Sequence, residues 1–287
     1  MLAIRSEPQQ SSPLSGVGDE FVRSDELVRV SDVGFQYGAG TVALENVSLG
    51  VREGEVLGIV GPSGCGKSTL LRLFAGLKIP TSGTVLFAPE AASAACAVTM
   101  VFQNETLLPW MTVHDNAALY AKFQPIRERR RTAAQRKARV DELLHMVGLD
   151  GFAKAYPYEL SGGMKRRLAF VAAVAASPAL LLLDEPFSSV DEPTQVQIHR
   201  DILKIIQQLN MTVVLVTHDL AEAVTLCDRV VIMTNRPGTL YSEHVMEFGA
   251  GRDVLQLRQT DEFHHAYAKL WHDLSKQMIS SQPSAEE

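Results

Sequence analysis

Short apolar runs alternate with longer stretches of helical spacing from Leu27 onward. The apolar runs are rich in β-branched residues or leucine, have the length of strands, and cover residues 56–60, 98–102, 180–183, 213–216 and 230–233. A helix is predicted directly after the first run, from Lys67 towards Leu77. Because strands that alternate with helices usually form parallel sheets, the pattern predicts an α/β fold.

Three of these runs, at residues 180–183, 213–216 and 230–233, are followed by polar or charged residues. In α/β proteins, ligands bind at the carboxyl ends of the parallel strands. We therefore expect a functional site where these runs end.

The rest of the chain divides into segments of different character. Residues 1–27 are rich in Ser, Gln, Gly and Pro, which predicts a disordered or weakly ordered arm. We expect one domain over residues 28–250, with a helical subdomain at about 104–176. A basic run at 127–139 is interpreted as a solvated helix face rather than as a partner-binding patch. Residues 251–287 are expected to form a C-terminal helical appendage that packs on the core through Phe263, Tyr267, Leu270 and Leu274.

Composition and charge narrow the possible partners. A formal charge of -6 and a pI of about 5.8 argue against electrostatic binding to nucleic acid or to an anionic membrane. Three scattered cysteines and a polar N-terminus predict a protein of a reducing compartment that is not exported. The longest apolar stretch, 168–183, contains Ser177 and Pro178 and is shorter than the roughly 20 residues of a membrane span. Membrane contact is therefore expected only through a protein partner.

A glycine-rich sequence follows the first strand and opens the predicted helix. It contains the phosphate-loop pattern G-x-x-x-x-G-K-[ST] and consists of Gly61, Pro62, Ser63, Gly64, Cys65, Gly66, Lys67, Ser68 and Thr69. Glycines let backbone N–H groups surround phosphates, and the helix N-terminus adds positive potential. We expect Lys67 to bind the β- and γ-phosphates and Ser68 to bind Mg²⁺. The alternative interpretation is a simple glycine-rich turn.

Two carboxylates follow the leucine run at 180–183. A strand of four leucines is buried on both faces and delivers Asp184 and Glu185 to its carboxyl end. We expect Asp184 to orient the metal through a water and Glu185 to accept a proton from the attacking water. Alone, such a pair more often marks the start of a helix; the phosphate loop upstream favours the catalytic interpretation.

The sequence Leu160-Ser161-Gly162-Gly163-Met164 predicts a second anion site. Ser161 is a good N-cap, and the glycines that follow leave the first helical turn open for an anion. One chain would then carry two phosphate-binding helix ends.

With these motifs, residues 28–245 resemble the nucleotide-binding subunit of an ABC transporter. The resemblance implies a P-loop ABC ATPase domain whose helical subdomain carries the signature at Ser161, Gly162 and Gly163. It implies that two copies pair head to tail, with each ATP between the phosphate loop of one copy and the signature of the other. Membrane-spanning permease subunits would be separate chains, with an extracytoplasmic solute-binding protein as an indirect partner.

The resemblance assigns further roles along the chain. Tyr37 would stack on adenine, Gln103 would sense the metal and the attacking water, and His218 would contact the γ-phosphate. Ser188-Ser189-Val190-Asp191 would cross the dimer. Without the family context, Tyr37 fits a core aromatic equally well, Gln103 is uninformative, and a lone histidine at a strand end is more often structural. Met164 departs from the commoner glutamine of the signature, but no phosphate-contacting group is lost.

The solute is the least determined property. Leu107-Leu108-Pro109-Trp110, Met164 and Asn235-Arg236-Pro237-Gly238 together resemble the nitrate, sulfonate and taurine import group, whose subunits lie on the cytoplasmic face of the inner membrane. The stretch 107–113 is expected to contact the permease, although Trp110 is equally compatible with ordinary core. Importers of bicarbonate or a pyrimidine precursor, and a soluble ABC-type ATPase acting on nucleic acid or ribosomes, remain alternatives. A small-molecule P-loop kinase would leave 160–164 and His218 unexplained.

Overall fold

Two sheets carry the fold, one with six strands and one with three. The computed structural model describes residues 25–38, 40–92, 97–103, 106–122, 132–188, 190–249 and 251–279. In these ranges the strands are β1 Glu26–Tyr37, β2 Thr41–Arg52, β3 Val56–Val60, β4 Ser82–Phe87, β5 Val98–Val101, β6 Leu180–Asp184, β7 Thr212–Val216, β8 Arg229–Met233 and β9 Leu240–Val245. The helices are α1 Lys67–Phe74, α2 Pro89–Ala92, α3 Val113–Ala117, α4 Leu119–Lys122, α5 Ala133–Met146, α6 Gly162–Ala175, α7 Glu192–Gln208, α8 Leu220–Leu226, α9 Val254–Leu257 and α10 Asp261–Ile279.

The larger sheet has the strand order β5-β6-β7-β3-β8-β9. Its first five strands pair in parallel, which confirms the predicted α/β fold, and β9 pairs with β8 in antiparallel orientation. Side chains of a strand alternate between the two faces of a sheet. Leu181 and Leu183 accordingly join one hydrophobic core, whereas Leu180 and Leu182 join the other. The leucine run is therefore apolar throughout because each face of β6 is covered.

The smaller sheet is antiparallel, with the order β2-β1-β4, and the sequence pattern does not predict it. Its side chains share a core with α1 and one face of the larger sheet. Register shifts interrupt β1, and Asp32 and Asn46 adopt left-handed backbone conformations at φ 48° and 49°. These irregularities break the period-two alternation by which a half-buried strand is recognised.

The helices differ from the sequence prediction mainly at their ends. Helix α1 stops at Phe74 rather than continuing towards Leu77, because Gly76 turns the chain at φ 66°. The predicted C-terminal helix is two helices, α9 and α10, and Tyr267 is 38% exposed, whereas Phe263, Leu270 and Leu274 are buried in the main core. Among the described helices, none combines the length and apolar character needed to cross a bilayer.

Two predicted segments fall partly outside the described residues. Residues 1–24 of the predicted N-terminal arm lie outside the described residues, and β1 already begins at Glu26. Residues 127–131 of the basic run also lie outside the described residues. Its described part begins α5 with a capping box between Thr132 and Gln135, and Lys137 pairs with Asp141 across one helical turn. The proposed domain boundaries stay predictions.

A buried ion pair joins the start of β3 to the start of β8. Arg229 donates to both carboxylate oxygens of Glu55 at 2.6 and 2.8 Å, and the two side chains are 6% and 7% exposed. These hydrogen bonds raise the pKa of the Arg229 guanidinium. Glu243 of β9 also reaches Arg229, at 3.2 Å, but its side chain is 48% exposed.

We expect Glu55→Gln to lower the free energy of unfolding by about 3 kcal/mol, because it leaves a buried arginine without its carboxylate partner. Glu243→Gln is the matched control and should cost less than about 1 kcal/mol, since its pair is exposed to solvent. Denaturant unfolding of the three proteins measures both values. Equal losses in the two variants would show that burial does not distinguish the pairs.

Candidate active site

The phosphate loop lies between the end of β3 and the start of α1. Gly64 and Gly66 have φ values of 75° and 112°, which turn the loop tightly around its centre. Lys67 is buried and donates to the carbonyl oxygens of Gly61 and Pro62 at 2.8 and 2.9 Å. The lysine therefore holds the loop in a closed shape before any phosphate binds.

Side chains around the loop explain why two positions are glycine. A Cβ on Gly66 would lie 2.7 Å from Leu44 Cδ2 and 2.8 Å from the Ala43 carbonyl oxygen. At Gly61, a Cβ would lie 2.9 Å from the sulfur of Cys65. Cys65 itself is buried, and burial raises the pKa of its thiol, so this side chain packs the loop rather than facing a nucleotide.

Ser68 and Asp184 meet at the junction of α1 and β6. The Ser68 hydroxyl donates to Asp184 Oδ1 at 2.9 Å. Burial raises the pKa of the Asp184 carboxyl, while the Ser68 hydrogen bond acts in the opposite direction. A hydroxyl and a carboxylate beside a phosphate loop form the oxygen donor set that Mg²⁺ prefers, so the residues present fit this ion.

Glu185 is held between two side chains from different parts of the chain. Its Oε2 lies 3.0 Å from His218 Nδ1 and 3.4 Å from Gln103 Nε2. The backbone of Glu185 is left-handed, with φ 46°, and its N–H donates to the Val216 carbonyl of β7. A strained backbone at the end of a buried strand is typical of a functional residue. The three residues predicted as catalytic thus form one cluster beside Ser68 and Asp184.

Tyr37 lies at the end of β1, next to the phosphate loop. Its hydroxyl forms a 3.0 Å hydrogen bond with Thr69, and its ring is 37% exposed. The Lys78 ammonium lies 4.6 Å from the centre of the Tyr37 ring, and the Phe35 ring packs against it in an edge-to-face arrangement. The tyrosine is therefore an exposed, oriented ring rather than a core aromatic, which suits it for stacking on a base.

The predicted second anion site lies at the start of α6. Ser161 caps α6 and accepts a hydrogen bond from the Met164 N–H at 3.3 Å. Gly162 is exposed, whereas Gly163 packs closely against Thr194 of α7. Within the described part of the chain, no hydrogen bond joins residues 161–163 to the phosphate loop. The described residues of one chain therefore do not join the two predicted anion sites by a hydrogen bond.

Two arginines of the site carry no role in the sequence analysis. Arg236 donates to the Gly64 carbonyl at 3.1 Å, and Arg166 of α6 donates to the Gln103 carbonyl. Arg236 belongs to the turn 235–238, which the sequence singles out only by its resemblance to a group of importers. No local pattern marks Arg166, because its contact spans 63 residues.

The segment that follows Gln103 presents an aromatic surface. Buried Asn116 binds the backbone of residues 108, 111 and 112 through four hydrogen bonds and so holds this segment in place. Backbone hydrogen bonds from residues 113 and 114 attach it to 153–155. We name as the aromatic surface the exposed side chains that these two segments carry, which are Trp110, Phe152, Tyr156 and Tyr158. Trp110 is 71% exposed and is therefore not ordinary core.

Comparison with known proteins finds a family model described as ABC transporter that matches residues 44–188. The nitrate import ATP-binding protein NrtC of Synechococcus elongatus is 40% identical over 261 residues, which are 90% of this chain and only 38% of that protein. The nitrate transport protein NasD of Klebsiella oxytoca is 38% identical over 86% of this chain and 96% of its own length. The solved dimer of the ATP-binding cassette MJ0796 bound to ADP and Pi superposes with a TM-score of 0.65 at 30% identity, covering 77% of this chain and all of that chain.

The geometry of the phosphate loop predicts that Gly66→Ala is destabilising. Alanine at φ 112° is strained, and its Cβ would press on the Ala43 carbonyl, so we expect a loss of about 2 kcal/mol in the free energy of unfolding. Gly162→Ala is the matched control, because nothing lies within 4 Å of its Cβ position. The control should stay within about 0.5 kcal/mol of the parent protein in denaturant unfolding. A stable Gly66→Ala protein would contradict the close approach of the loop to β2.

Proposed function

Because this chain belongs to the ABC transporter family, we propose that it is the ATP-binding and ATP-hydrolysing subunit of an importer for nitrate or another small anion. The observation that carries the proposal is the cluster of Gln103, Glu185 and His218 beside the Ser68–Asp184 pair. Such a cluster has the groups needed to activate a water next to a bound triphosphate.

ATP would bind with its base on Tyr37 and its phosphates on the N–H groups of residues 63–69. Base stacking on an aromatic ring contributes about 1 to 3 kcal/mol. Lys67 would exchange its hydrogen bonds with Gly61 and Pro62 for the β- and γ-phosphate oxygens. Arg236 supports the loop through its hydrogen bond to the Gly64 carbonyl.

Ser68 and Asp184 would hold Mg²⁺, with Gln103 as a further oxygen donor. When bound, the ion neutralises charge on the β- and γ-phosphates. Asp184 orients the Ser68 hydroxyl through their 2.9 Å hydrogen bond and so fixes the direction of both donors.

Glu185 would accept the proton of the attacking water. Both of its observed contacts involve Oε2, and among the described residues Oε1 has no hydrogen-bond partner. Oε1 is therefore the oxygen that can receive the proton. His218 and Gln103 orient the carboxylate and, from the same position, reach the γ-phosphate side of the site.

A second copy of the chain would complete the site. The signature at Ser161, Gly162 and Gly163 offers an open helix N-terminus that no described residue of the phosphate loop contacts. In a head-to-tail pair, this helix end would supply positive potential to the γ-phosphate held by the other copy. The solved MJ0796 cassette bound to ADP and Pi is dimeric, which supports the pairing of two copies.

The aromatic surface would bind the permease. Aromatic side chains that are held rigidly at the surface are typical of binding hot spots. Arg166 connects the signature helix α6 to the Gln103 carbonyl, so motion of α6 would reach the segment that carries Trp110. The chain would then act as a peripheral subunit on the cytoplasmic face of the inner membrane, and an extracytoplasmic solute-binding protein would deliver the anion.

We expect Glu185→Gln to keep ATP binding, to lower kcat by about a hundredfold or more, and to trap a dimer. Glutamine preserves the shape of the side chain but cannot take the proton. Gel filtration with ATP and Mg²⁺ measures the dimer, and phosphate release measures turnover. A variant that stays monomeric with ATP would contradict the head-to-tail model.

Ser161→Arg serves as the matched control for that experiment. It blocks the signature without touching the phosphate loop of the same copy. ATP should still bind to the monomer, while hydrolysis and the ATP-dependent dimer are lost. Unchanged turnover in Ser161→Arg would show that residues 161–163 do not contribute to the ATPase site.

The solute is tested by reconstitution of the full importer. We expect nitrate with its binding protein to raise the ATPase rate of the chain together with its permease in proteoliposomes. Taurine and bicarbonate are the comparison solutes. Stimulation by taurine alone would retain the ATPase assignment and overturn nitrate import.

A further inference from the structure

A buried histidine of α7 and a buried glutamate of α8 take no part in the chemistry described above. His199 of α7 is 0% exposed, and Glu222 of α8 is 2% exposed. His199 Nε2 lies 3.5 Å from Glu222 Oε1, and neither atom has a hydrogen-bond partner among the described residues. A buried carboxylate oxygen without a hydrogen-bond donor depends strongly on the polar group that faces it, which for Oε1 is His199.

The pair is connected to the strand end that carries His218. Thr217 donates its hydroxyl proton to Glu222 Oε2, and the same hydroxyl accepts the Asp219 N–H at 2.9 Å. Asp219 also accepts from Gln195 of α7 at 3.1 Å. Hydrogen bonds thus join both neighbours of His218 to polar side chains on α7 and α8. We therefore expect a displacement of these helices to displace the backbone of His218.

The same helix is connected to the segment that follows Glu185. The Phe187 ring lies 5.3 Å from the His199 ring in an edge-to-face arrangement, and it is 2% exposed. Asp191, which is expected to face a second copy, caps α7 and accepts from Thr194. A displacement at the start of α7 would therefore move His199 together with Phe187.

We propose that His199 is a positioning residue that couples Phe187 and the start of α7 to His218 through Glu222 and Thr217. Formation of the dimer moves the start of α7, and the buried chain of contacts carries that movement to the His218 ring. The inference rests on the proposed function, because it takes His218 as the group that reaches the γ-phosphate.

His199→Phe tests the proposal, because phenylalanine fills the space and keeps the contact with Phe187 but removes the ring nitrogens. We expect kcat for ATP to fall about tenfold, since a misplacement of about 1 Å at a reacting group can cost up to a hundredfold. KM for ATP should stay within about twofold, because Tyr37 and the phosphate loop are untouched. His199→Gln keeps a nitrogen donor near Glu222 and should restore most of the rate.

Glu55→Gln is the control for a merely structural role. It removes one partner of the buried Glu55–Arg229 ion pair, which is not connected to His218 by the contacts described above. We expect it to lower the stability without changing kcat. If His199→Phe does not fold, Glu222→Gln carries the same test, since it alters the contact with His199 and keeps the shape of the side chain.

His218→Ala separates the inference from the proposed function. Loss of turnover in His218→Ala together with a folded His199→Phe protein of unchanged kcat overturns the coupling and leaves the proposed function intact. Full turnover in His218→Ala overturns the role of His218 in the proposed function itself. A tenfold lower kcat that the glutamine variant restores supports the coupling.

Discussion

The hydrogen bond from Ser68 to Asp184 is the contact on which the rest of the site depends. It joins the first turn of α1, where phosphates bind, to the end of β6, where the carboxylates lie. Strand β6 holds this position because it pairs in parallel with β5 on one side and with β7 on the other. The phosphate loop and the acidic pair are therefore fixed relative to each other before any nucleotide arrives.

Burial of Asp184 affects the charge of its carboxyl group. Desolvation raises the pKa of its carboxyl, which means that the fold disfavours the charged form. A metal cation bound with a nucleotide would add to the positive charge that Arg72 and Lys67 already supply to this carboxylate. Such a cation would favour the charged form of Asp184, which burial alone disfavours.

The sequence predicted what local patterns encode. The phosphate loop was found because its glycines and Lys67 stand at fixed spacing, and Asp184 and Glu185 were found because they end an apolar strand. The antiparallel sheet was missed, since bulges in β1 interrupt the alternation that identifies a strand. Arg236 was missed because its contact with Gly64 spans 172 residues and leaves no local signal. His199 could not be recognised, because a histidine in an amphipathic helix shows its role only when Glu222 is placed beside it.

If two copies share the site as proposed, its division between them would follow from the same interactions. In the single chain, Lys67 already satisfies two of its donors on Gly61 and Pro62, so binding of a triphosphate exchanges hydrogen bonds and does not simply add them. Among the described residues, the exposed helix end at Ser161 forms no hydrogen bond with the phosphate loop. Its N–H groups therefore keep their positive potential for an incoming anion. Interactions that form only when two copies meet contribute to the closed state alone, and only such differential interactions can shift an equilibrium between open and closed forms.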